Sequence, residues 1–245
     1  VFDNTMVTGL KNYEGTRLRA FFTHYQGMSD PTNSFSNIEV DLRHYQKLFR
    51  DVTLATRVFY GNFFGSNAPN YLLGGMNNWL FQQFETYDDA EENPLAISRG
   101  VDNSEILFTR FTNLRGFNFN KFNGTDVLTF TAELRLPIVR FFYRGPIASN
   151  FFRNLEFVGF YDVGSSWTGS SPFSEENSLN TEIIDDGGPF RAELQNFKNP
   201  WLQSYGAGVR TVLLGYYLKA DLAYPIEDNI VADRPRLFLT LGYDF

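Results

Sequence analysis

The chain has no cysteine, so it can hold neither a disulfide framework nor a thiolate metal site. It has no apolar run near the roughly 18–20 residues that a membrane helix needs, and its mean hydropathy is −0.28. A helical span is thereby excluded. A strand-built membrane wall is not, because such strands hide lipid-facing residues among polar ones. Positive charge is in the minority: 21 Lys and Arg stand against 28 Asp and Glu, for a net charge of −7. That balance argues against nucleic acid as a partner. The two histidines, His24 and His44, fall in different extended segments and make a poor metal pair. No signal peptide is visible. A nucleophile elbow, a zinc motif and a phosphate loop are all missing. Catalysis is not expected, and neither is a cofactor or a resident metal.

Aromatic residues are abundant: 27 Phe and 13 Tyr help raise the aromatic share to 18% of 245 residues. Such an excess suits the interfacial girdles of a membrane barrel. An aromatic-rich soluble β-sandwich would show it too. Periodicity says more. The chain ends on a run in which Leu237, Leu239, Leu241, Tyr243 and Phe245 alternate with Arg236, Phe238, Thr240, Gly242 and Asp244. Period two marks the faces of a strand. Eight further extended segments precede it: a stub at 1–6, then 15–25, 37–45, 52–60, 126–136, 155–163, 205–213 and 216–224. In the clearest one, Leu128, Phe130, Ala132, Leu134 and Leu136 oppose Thr129, Thr131, Glu133 and Arg135. Charge confined to one face fits a barrel wall around a polar lumen, since a lipid-facing charge near the midplane costs about 2–4 kcal/mol. A sandwich would turn the apolar face inward instead, and alternation alone does not separate the two.

Connection lengths favour the barrel. Short links at 7–14, 46–51 and 214–215 and a medium one at 137–154 alternate with longer ones at 27–36, 61–125, 168–203 and 225–235. Outer-membrane barrels have short periplasmic turns and longer outer loops, so the carboxyl terminus is expected on the periplasmic side. Such barrels usually have an even number of strands. With an odd count and a first strand that is only a stub, further strands are expected upstream of Val1. The acidic stretches 85–92 and 175–186 offer oxygen ligands of the kind Ca²⁺ takes. They match no spaced calcium loop and are read as solvated surface loops. The segment Tyr71 to Trp79, YLLGGMNNW, reads as structured loop without an evident task.

The long connection 61–125 carries Leu114, Arg115, Gly116 and Phe117. With this LRGF tetrapeptide the chain resembles the outer-membrane assembly and translocation barrels, the BamA/TamA superfamily with its two-partner secretion transporters (the bacterial surface antigen family). Their hallmark is a [VIL]RG[FY] motif on a long outer loop folded back into the lumen. Three more features carry the resemblance: Glu133 in TAELRLP, Asp162 in GFYDVGSSW, and the Phe-terminated last strand. The expected fold is all-β, an antiparallel transmembrane β-barrel with about nine strands here, as the C-terminal part of a barrel of about sixteen. Both carboxylates should point into the lumen. A planar guanidinium suits bridging two carboxylates, so Arg115 is expected to tether the loop to Glu133 and Asp162. Gly116 lets the loop approach the wall, and Phe117 wedges the tip.

The resemblance implies insertion of outer-membrane proteins or translocation of polypeptides. It also implies an outer-membrane location, lipid and client polypeptides as partners, and periplasmic or lipoprotein accessory subunits. The seam strand would be the terminal one, Arg236 to Phe245, with Leu237, Leu239, Leu241, Tyr243 and Phe245 on one face. Two alternatives stand beside it: a channel-type or structural barrel that serves a partner protein without assembly activity, and the soluble sandwich.

Overall fold

Alternating side chains build one large antiparallel sheet. The computed structural model describes residues 1–8, 11–28, 34–85, 108–174, 181–185, 191–195 and 199–242. Tyr243, Phe245 and most of both acidic stretches lie outside the described residues. The strands of the sheet are β1 (Phe2–Asp3), β2 (Met6–Thr8), β3 (Lys11–Tyr25), β4 (Phe35–Lys47) and β5 (Thr53–Gly65). After a loop that holds β6 (Tyr71–Leu73), β7 (Arg110–Thr112) and β8 (Phe122–Gly124) comes β9 (Asp126–Leu136). Two short helices, α1 (Ile138–Phe142) and α2 (Asn150–Arg153), lead to β10 (Glu156–Trp167). A separate hairpin of β11 (Thr181–Asp185) and β12 (Arg191–Gln195) precedes β13 (Leu202–Leu213) and β14 (Tyr216–Glu227). The short β15 (Ile230–Val231) and then β16 (Arg236–Leu241) follow.

Each long strand pairs with its neighbour in the order β3-β4-β5-β9-β10-β13-β14, with β16 beside β14 and the β1 and β2 stubs on β3. The turn Leu214-Gly215 has φ of 51° and 85°. Two positive φ values in a two-residue turn match the right-handed twist of the strands it joins. β5 runs past the expected end at Tyr60 to Gly65 because the alternation persists: Phe63 turns inward and Phe64 outward. Short connections gather at one end of the sheet and long ones at the other.

The sheet is inverted relative to that of a water-soluble protein. Leu134, Phe157 and Leu237 are 49%, 51% and 52% exposed, while Glu133, Arg135 and Asp162 are only 1–2% exposed. One outward row runs Leu54, Leu134, Gly159, Ala207, Leu222, Leu237 across six strands. The row beside it, on the covered face, includes Glu133, Phe160, Gly206 and Ala223. Soluble proteins rarely expose so broad an apolar surface. What covers the polar face is the chain's own loop.

Candidate functional site

The loop folds onto the inner face as a small three-stranded sheet. β6 pairs parallel with β7 and antiparallel with β8. Leu73 and Tyr71 of β6 join Leu114, Phe117, Phe122, Phe35, Phe63, Val127 and Leu202 in a buried apolar cluster. The Tyr71 ring lies 4.7 Å from that of Phe63. Its hydroxyl donates to Glu39 Oε1 at 3.2 Å and accepts from Asn37 Nδ2 at 2.7 Å. Burial pushes this hydroxyl well above the ordinary tyrosine pKa, against the opposing effect of the Asn37 bond and with help from the Glu39 charge.

The LRGF turn is held from behind by Gly75. The Leu114 amide donates to the Gly75 carbonyl, and the Gly75 amide donates to the Phe117 carbonyl, each at 3.1 Å. This backing is the task of YLLGGMNNW that no sequence pattern discloses. Gly116 sits at φ 93°, and a Cβ there would come within 3.0 Å of Ser204 Cβ and 3.3 Å of Pro225 Cα. The motif therefore presses directly on β13 and β14.

Arg115 projects from this turn into the wall. Its Nε donates to Asp162 Oδ2 at 2.6 Å and its Nη2 to Asp162 Oδ1 at 2.8 Å. Its Nη1 donates to Glu133 Oε1 at 2.8 Å and, more weakly, to Asp221 Oδ2 at 3.5 Å. The guanidinium carbon lies 3.7 Å from the centre of the Phe160 ring, within the range of a cation–π contact. Burial disfavours its charge, but the neighbouring Asp162 and Glu133 carboxylates hold it protonated well above the ordinary arginine range.

Glu133 is the hub. Besides Arg115 it accepts from Arg210 at 2.6 and 2.9 Å and from Arg135 at 2.7 and 2.9 Å. Arg115, Arg135 and Arg210 thus face Glu133, Asp162 and Asp221, a buried cluster with no net charge. Gly208 makes room for it, since a Cβ there would meet Asp221 Oδ1 at 1.8 Å. The structure brings Arg115, Glu133 and Asp162 together. Arg210 and Asp221 were not anticipated, although each sits at an inward position of an alternating strand, which is the signal that marks them.

The last strand has a second partner besides β14. Trp79 forms a bridge with Thr240, flanked by Leu80 N–H donating to the Leu239 carbonyl at 2.9 Å and Leu241 N–H donating to the Asn78 carbonyl at 3.3 Å. The Trp79 ring packs 4.5 Å from Phe238. Of the expected terminal-strand residues, Leu237, Leu239 and Leu241 alternate with inward Phe238 and Thr240. The histidines are far apart along the β3–β4 pair. His24 bonds to the Ser36 hydroxyl and His44 to that of Thr16, both at 2.9 Å.

No known protein family's profile matches the chain, and no curated protein does.

Proposed function

We propose that this chain forms part of the wall, and the lumenal loop, of an outer-membrane β-barrel resembling the BamA/TamA superfamily, and that it serves to insert outer-membrane proteins or to translocate polypeptides. The observation that carries this reading is Arg115 of the LRGF loop, bound at once by Asp162 and Glu133 on the inner face of a sheet whose outer face is apolar and exposed. A lipid environment accounts for the outer face, because it removes the penalty that water would impose on Leu134, Phe157, Leu222 and Leu237. The partners are lipid, client polypeptides and periplasmic accessory subunits. The site is read as non-enzymatic: Arg115 is taken up by Asp162 and Glu133 in holding the loop.

A structural barrel serving a partner protein is the second reading. The tightly bonded loop favours it, since a rigid plug suits a static wall.

The test is reconstitution of the chain, with its native flanking sequence, into phosphatidylcholine vesicles. Insertion gives heat-modifiable migration, and assembly or passage of an unfolded outer-membrane client is then measured with and without Arg115→Ala. Insertion accompanied by client handling that the variant loses supports the assembly reading. Insertion with no client handling and steady conductance supports the structural one. A chain that stays soluble without detergent refutes both.

A further inference from the structure

The short-connection end of the sheet carries a charged cavity whose lining shares no residue with the Arg115 cluster. The β4–β5 turn and the β9–β10 connection face each other there across about 770 Å³. The lining includes Lys47, Arg50, Arg140, Arg144 and Arg153, with Asp51 as the single acid. Lys47 takes that acid, Nζ to Oδ1 at 2.6 Å. The four arginines have no carboxylate partner among the described residues. Among the described residues the Arg153 guanidinium donates to the Asn150 side chain. Arg50 sits at φ 46°, with its guanidinium carbon 5.2 Å from the Phe49 ring centre and 5.6 Å from that of Phe141. Those two rings meet edge to face at 6.5 Å, so the arginine and the aromatics clasp the two walls together.

Around this cation cluster the surface is apolar. Leu48, Phe49, Phe142, Tyr143, Phe151 and Phe152 are exposed. Neither α1 nor α2 has a buried residue. Phe142 and Phe152 therefore point away from the protein, 80% and 53% exposed. Arginine matches the geometry of a phosphate oxygen pair, and exposed aromatics beside arginine belong at the level of lipid headgroups. A soluble anion would use the arginines and leave the phenylalanines idle. A lipid uses both.

We propose that this cavity binds the phosphate of an anionic phospholipid in the leaflet on the short-connection side. Arg50, Arg140, Arg144 and Arg153 hold the phosphate, while Phe142 and Phe152 lie among the upper acyl carbons. The site rests on the membrane reading given above, and it adds a specific lipid headgroup to it.

The chain is extracted in detergent, delipidated and offered dioleoyl-phosphatidylglycerol or dioleoyl-phosphatidylcholine, with retained lipid counted by native mass spectrometry. Phosphatidylglycerol is retained about tenfold or more over phosphatidylcholine, as expected for several cations acting on one anionic headgroup. The combined variant Arg50→Gln, Arg140→Gln, Arg144→Gln and Arg153→Gln loses the preference, whereas Arg234→Gln at the other end of the sheet keeps it. The four Arg→Lys replacements, which keep the charge, retain part of the preference and show that the glutamine variant did not merely misfold. Phe142→Ser with Phe152→Ser weakens retention of both lipids.

Equal retention of the two lipids overturns the proposal, as does an unchanged preference in the glutamine variant. Displacement of phosphatidylglycerol by equimolar inorganic phosphate or polyglutamate also overturns it, in favour of a soluble anion or an acidic polypeptide. Insertion into phosphatidylcholine vesicles is measured in parallel. Failure to insert removes the membrane reading and this site with it, while insertion without lipid preference removes the headgroup site alone.

Discussion

Arg115 and Asp162 meet through two parallel hydrogen bonds, Nε to Oδ2 at 2.6 Å and Nη2 to Oδ1 at 2.8 Å. Only a guanidinium presents that fork, so charge alone does not replace it. Arg115→Lys is expected to fail nearly as fully as Arg115→Ala. Breaking a buried pair by removing one partner costs about 3–5 kcal/mol, because the other charge stays buried. Limited proteolysis of the loop, faster in both variants while the wall strands stay intact, is the readout.

Glu133 should be the most sensitive carboxylate. Glu133→Gln removes the one carboxylate charge to which Arg115, Arg135 and Arg210 all donate. Asp221→Asn removes two long contacts of 3.5 and 3.8 Å. Thermal unfolding in detergent should drop further for Glu133→Gln than for Asp221→Asn. A double-mutant cycle between Glu133 and Arg210 should show coupling of about 0.5–3 kcal/mol, the range for residues in direct contact. Additive effects would mean that the bonds between them contribute little.

Two wall glycines give a matched contrast. An added methyl at Gly208 meets Asp221 Oδ1 at 1.8 Å, while one at Gly159 finds nothing within 4 Å. Gly208→Ala should lower stability by about 1–3 kcal/mol, the usual cost of overpacking. Gly159→Ala should be tolerated. The two residues lie on adjacent strands but on opposite faces, Gly159 outward and Gly208 inward, so Gly159 controls for replacing a strand glycine and not for burial. Equal effects would show that strand propensity, not room for Asp221, fixes Gly208.

The loop should loosen in alkali through Tyr71. Its hydroxyl is held neutral above the ordinary value of about 10. Between that value and the raised one, the unfolded chain has lost a proton that the folded chain keeps, so stability falls as pH rises through this window. The contribution is fully present below about pH 10. Proteolysis of the loop compared at about pH 9 and pH 11.5 should show the slope, and Tyr71→Phe should flatten it.

The wall strands were legible because period two repeats over enough residues to stand out. Asp126–Leu136 falls where the alternation of Leu128 to Leu136 puts it. β6, β7 and β8 have three residues each, too few to show a period. Their pairing depends on a loop folding back over a finished sheet. α1 and α2 are one turn long and bury nothing, so no helical stripe marks them. In the site, Arg115, Glu133 and Asp162 were expected to meet because the LRGF resemblance ties them. The contact of Arg115 with Asp221 spans 106 residues. It follows only from the register that sets Gly208 opposite Asp221, which alternation does not supply.

The bonds from Asn78 and Leu80 to β16 bear on how copies of the chain behave toward one another. An unpaired strand border is where proteins stack edge to edge and grow into fibrils. Here the carbonyl of Leu239 and the amide of Leu241 are already taken, and Trp79 lies across Phe238 beside them. The loop therefore occupies the border of the last strand at Leu239 and Leu241, and a newcomer there must exchange two hydrogen bonds beside a tryptophan. The segment that backs the LRGF turn thus also covers part of the border of β16.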